Sequence, residues 1–85
     1  MTSIDVSCDG ATCSVHLGSG HAFSVIIDEV PPAGEGVPFE ALVAAAFEFL
    51  LDREPVDAIL PSFRLSVIGR YFADYPAGLA QYLER

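Results

Sequence analysis

Lysine is absent from this chain, and its only strong cations are Arg53, Arg64, Arg70 and Arg85. Twelve Asp and Glu residues stand against them and give a formal net charge of −8. Nucleic acids are held largely by Lys and Arg neutralising phosphates, and anionic membrane surfaces attract the same residues. The charge balance argues against both partners. Long apolar runs are missing as well. None approaches the roughly 18 residues that read as a membrane span, and Glu40 and Glu48 interrupt the longest helical stretch. No charged segment followed by an apolar one opens the chain, so no signal peptide is expected and the cytoplasm is the expected location. Cysteine is limited to Cys8 and Cys13, and in that compartment both are expected to stay reduced. Ala and Arg usage without Lys points to a bacterial source.

Catalytic signatures are also wanting. The serines and the two histidines form neither a G-x-S-x-G elbow nor a recognisable base–nucleophile set. Gly34-Glu35-Gly36 lacks the lysine and helix context of a phosphate loop. The carboxylates lack calcium-loop spacing, and Asp28-Glu29 read as solvated acids beside a loop. The sequence leans away from an enzyme, and no catalytic or cofactor-binding residue is assigned.

What the chain does have is apolar surface. Its 85 residues make one domain, residues 1–85, in which 52% are hydrophobic and 19% charged. An average domain carries about 25% charged residues, and a domain this small buries only about 60–65% of its unfolded surface. The surplus is expected at the surface as an interface patch, most simply in a two-fold homodimer. Charge is uneven: residues 1–62 carry a net −9 and residues 63–85 a net +1.

The periodicity changes along the chain. Residues 1–27 read as a β-meander. Ile4, Val6 and Cys8 alternate with polar residues, as do Ala11, Cys13, Val15 and Leu17, which is a strand pattern. Asp9-Gly10 signals a type I′ hairpin. A two-residue turn pairs Cys8 with Ala11, a four-residue turn pairs Cys8 with Cys13, and both keep the apolar residues on one face. For Gly18-Ser19-Gly20 a three-residue loop is expected, pairing Val15 with Phe23 and Cys13 with Val25. The third strand, His21 to Ile27, is apolar on both sides. As an edge it would be an aggregation hazard, so a partner or a covering segment is expected there.

Residues 28–37 are a loop rich in Pro and Gly. Helical spacing then takes over in residues 38–85. Phe39, Leu42, Val43, Ala46, Phe47, Leu50 and Leu51 form one stripe over about 38–52, with Phe49 off it. Pro55 and Pro61 bracket a helical turn containing Val56, Ile59 and Leu60. A helix is expected over about 65–73, although Phe63, Leu65 and Val67 also alternate like a strand. A last helix starts at Pro76, with Leu79, Tyr82 and Leu83 inward. The expected class is α+β: a three-stranded antiparallel meander over about 3–27, then a main helix and two or three short helices on one sheet face. This strand-then-helix order resembles small dimeric ribbon-helix-helix regulators in topology alone. Those regulators place basic residues on one short strand per subunit, whereas the strands read here carry no Lys or Arg. No function is transferred.

Three functional readings follow. The first is a homodimeric interaction module whose contact residues are Arg70, Tyr71, Tyr75, Tyr82 and Ile26, since Arg and Tyr are enriched at binding hot spots. The second is a thiol, metal or redox site at Cys8 and Cys13. Adding His16 and His21 gives C-x4-C-x2-H-x4-H, which matches no usual zinc spacing, and strand alternation puts His16 on the opposite face from Cys8, Cys13 and His21. The third is a small-molecule pocket between sheet and helix, lined by Phe23, Phe39, Phe47 and Phe72. Neither a metal nor another cofactor is expected.

Overall fold

The computed structural model describes residues 3–18 and 20–83. Strands β1 (Ile4–Asp9), β2 (Thr12–Leu17), β3 (Ala22–Ile26) and β4 (Ser62–Arg64) form one sheet in the order β1-β2-β3-β4. Helices α1 (Phe39–Arg53), α2 (Ser66–Tyr71) and α3 (Tyr75–Leu83) complete the α+β architecture, with 3-10 turns at Pro32–Gly34 and Val56–Ala58. None of the described helices is long and apolar enough to cross a membrane.

The first hairpin takes the register in which Cys8 faces Cys13 and Asp9 faces Thr12. Gly10 lies at φ +64° and Ala11 does not share the positive φ. Glycine at the first central position alone is the pattern of a type II′ turn rather than the expected I′. The second hairpin has the expected register, with Val15 opposite Phe23 and Cys13 opposite Val25. Its Leu17 N–H donates to the His21 carbonyl and Gly20 N–H to that of Leu17. Ser19, the middle residue of that loop, lies outside the described residues.

The sheet departs from the expected meander. It has four strands, and β4 runs parallel to β3, with Val25 opposite Phe63. Ser24 N–H donates to Pro61 O and Leu65 N–H to Ile26 O, so the two-sided apolar strand β3 is covered rather than left at an edge. Parallel neighbours need a long crossover, and α1 supplies it. Residues 62–67 divide accordingly into strand up to Arg64 and helix from Ser66.

Alternation sorts the two sheet faces. Cys13, Val15, Leu17, Phe23 and Val25 are buried on the inner face. Ser7, Ser14, Ser24 and Ser62 form one row across all four strands on the outer face. On the inner face Phe47 of α1 packs between Phe23 and Phe63, with centroids 5.1 and 5.9 Å away.

Helix α1 is buried on two sides, which the single expected stripe did not anticipate. Phe49 is fully buried and Phe39 is exposed. The Phe49 ring makes edge contacts with Phe72, Tyr75 and Tyr82, so α3 covers the face of α1 away from the sheet. That approach requires a glycine: a Cβ at Gly78 would come within 2.5 Å of the Phe49 ring.

Candidate interaction surface

Pro55 forces Glu54 into an extended conformation and ends α1 there, as its φ of −133° and ψ of 144° record. The chain then turns through Val56–Ala58 and runs extended from Ile59 into β4. Two prolines thus take an apolar pair, Ile59-Leu60, out of any long helix that could bury it. The result is a hollow of about 380 Å³ between the end of α1, this connection and α2. Leu50, Ile59, Phe63, Ile68 and Phe72 line it, Glu54 is an acid in its wall, and Leu60 and Tyr71 stand around it 52% and 74% exposed.

The five interface candidates part company in the structure. Tyr71 belongs to the hollow, and Arg70 is exposed beside it in sequence. Ile26 is 43% exposed, but it lies in the register row of Arg64, Thr12 and Asp9 on the outer sheet face. Tyr82 is half-buried against Phe49 and donates its hydroxyl to Asp52. Tyr75 is 4% exposed, and its hydroxyl has no hydrogen-bond partner among the described residues. Burial, with the Glu29 carboxylate adding to it, pushes that phenol above its ordinary value and keeps it protonated. Tyr75 is therefore a core residue of this chain rather than a surface one.

Asp74 turns to Arg53 rather than to Arg70 four residues before it. Arg53 Nη2 lies 2.7 Å from Asp74 Oδ2, and its guanidinium sits 3.7 Å from the centre of the Phe49 ring. The hydrogen bond that Arg53 donates to Asp74 raises Arg53 above its ordinary value, and the same bond lowers Asp74. These contacts fasten the end of α1 to the start of α3 and leave Arg70 outside.

The cysteines are joined. Gly18 N–H donates to Ser3 O, which makes 3–18 a hydrogen-bonded pair and, by alternation, 8–13 a non-hydrogen-bonded one. Side chains approach most closely at such pairs, and Cys8 and Cys13 form a disulfide there, with Cα atoms 4.0 Å apart. The reduced thiols expected from the sequence are not the state described. His21 is at the far end of β2–β3, where its Nε2 lies 3.2 Å from Asp57 Oδ1. Cys8, Cys13 and His21 do not converge, and no group of three or more His, Cys, Asp or Glu able to hold a metal occurs among the described residues.

The expected phenylalanine pocket is divided as well. Phe23 and Phe47 touch in the core, Phe72 lies with Phe49 on the other side of α1, and Phe39 is exposed. The residues missed from sequence are Glu54, Leu60 and Phe63. For Leu60 the signal was the bracketing by Pro55 and Pro61, which denies Ile59 and Leu60 a helix face. Set against known protein families, curated proteins and solved structures, the chain matches none.

Proposed function

We propose that this chain is a small non-catalytic interaction module that works as a homodimer, with the hollow as its contact surface. One observation carries the reading: Leu60 and Tyr71 are both strongly exposed and belong to the same apolar hollow. Single exposed apolar side chains are ordinary, whereas a contiguous patch usually marks an interface. Sedimentation velocity across a concentration series tests the proposal. Dimer is expected at micromolar protein, and a species that stays monomeric up to several hundred micromolar would sink the reading.

A second reading rests on the Cys8–Cys13 bond. In it the hairpin is a thiol–disulfide pair, with half-buried Cys8 as the sulfur that an incoming thiol reaches and Cys13 enclosed. The pair would be thiols in a reducing cytoplasm and a disulfide in an oxidising compartment. Mass spectrometry after equilibration in glutathione buffers tests it. A structural bond has a potential below about −300 mV and resists the glutathione pool. Persistence of the oxidised mass in the most reducing buffer would therefore reject a redox role.

A further inference from the structure

A smaller cleft, of about 120 Å³, opens where the loop after β3, helix α2 and the first residue of α3 meet. It shares no lining residue with the apolar hollow. Tyr75 helps to line it and brings a feature that a filled core does not explain. The residue is 4% exposed, and its hydroxyl has no hydrogen-bond partner among the described residues. Buried polar groups are nearly always paired, and an unpaired one costs free energy. Glu29, exposed on the same cleft, is close enough to act on the phenol electrostatically.

Oxygen acceptors are what the cleft has to offer. The Glu29 carboxylate only accepts. Ser66 has given its hydroxyl hydrogen to Asp28, so its oxygen has lone pairs alone to share. Tyr75 adds the phenol oxygen. Donors are scarce. Pro31 and Pro32 have no N–H, and the N–H groups of Leu65, Ser66 and Tyr75 are committed to Ile26, Asp28 and Phe72. No lining side chain carries a nitrogen. An anion would meet the Glu29 charge without compensating donors, whereas a donor-rich cation meets three acceptors. The volume suits only a few heavy atoms. We infer that this cleft binds a small free amine as its primary ammonium, the N–H donors shared among Glu29, Ser66 and Tyr75, and a short alkyl group against Pro31, Pro32 and Leu65. The chain has no lysine of its own to supply that group. The site is independent of the homodimer reading.

Amide-resolved NMR titration with propylammonium chloride tests it, with potassium chloride and sodium propionate as controls at equal ionic strength. Saturable shifts are expected at the Ser66 and Gly69 amides, with a dissociation constant on the order of millimolar for so small a ligand. Neither control is expected to give a saturable shift. Tyr75→Phe is expected to weaken binding roughly tenfold or more, because a hydrogen bond to a charged group is lost. Circular dichroism is expected to show that variant folded and at least as stable, an outcome that separates a binding role from a structural one. Glu29→Gln changes an exposed side chain and is also expected to cost about tenfold.

Saturation by propylammonium alone, weakened by both substitutions, supports the site. Shifts that fail to saturate, equal responses to potassium or propionate, or binding indifferent to both substitutions overturn it. Tighter binding of Nα-acetyl-lysine methylamide than of propylammonium would overturn the free amine as occupant and put a partner's lysine in its place.

Discussion

Tyr75 shows what a single buried side chain can cost. Its ring closes one side of the Phe49 cluster, and its hydroxyl is enclosed without a partner among the described residues. Removing a buried, unpaired hydroxyl while keeping the ring takes away a desolvation penalty and little else. Tyr75→Phe is therefore expected to leave stability unchanged or to raise it by up to about 1–2 kcal/mol in urea unfolding. A loss above about 1 kcal/mol would mean that a water in the adjoining hollow of about 120 Å³ partners the hydroxyl. Phe49 illustrates why such residues are hard to read from sequence. A 3.6-residue period identifies one helix face, and Phe49 lies off it. The rings that enclose Phe49 come from positions 72, 75 and 82, and nothing local announces that they return.

Among the elements, α2 depends most on outside support. Six residues are too few for a stable isolated helix. Asp28, just after β3, accepts the Ser66 N–H at 3.1 Å and the Ser66 hydroxyl at 2.6 Å, and so ties the start of α2 to the end of β3. The hydroxyl bond is the main cause that lowers Asp28 below its ordinary 3.8. Arg53 lowers Asp74 in the same direction at the start of α3. A carboxyl lowered in the folded state contributes stability above its unfolded value, and that contribution is lost as pH falls through the folded value. Both ties are thus expected to be intact above about pH 4 and to fail below it. Carboxyl carbon NMR titration checks this: Asp28 and Asp74 should titrate below the ordinary 3.8, and midpoints at or above that value would refute it. The sequence left β4 and α2 ambiguous because both readings are realised in succession. Phe63 takes its place in the sheet, and Val67 belongs to a helix. The strand exists only because β3, far back in the chain, offers it a partner, and such pairing overrides local preference.

At the scale of the whole molecule, the α+β class was legible because the period changes from strand to helix once, between Ile27 and Phe39. The parallel closure was not. The connection from β3 to β4 runs over residues 27–61, and no pattern within β4 records which strand it will meet. The hollow was half legible for a related reason. Surplus apolar composition pointed to exposed apolar side chains, and Tyr71 is among those around the hollow, but Leu60 reaches it only through the turn between two prolines.

The late arrival of β4 has a consequence for the chain's birth. Ribosomes add roughly 5–20 residues per second, so about 2–7 s separate synthesis of Ile26 from that of Ser62. Three strands with an apolar face can already hold together in that interval. Until the fourth strand emerges, β3 is a naked margin with Ala22 and Ile26 on one side and Phe23 and Val25 on the other. On a crowded polysome, neighbouring nascent chains present that margin to one another. Slower translation between Ile27 and Pro61 is expected to lengthen that exposure.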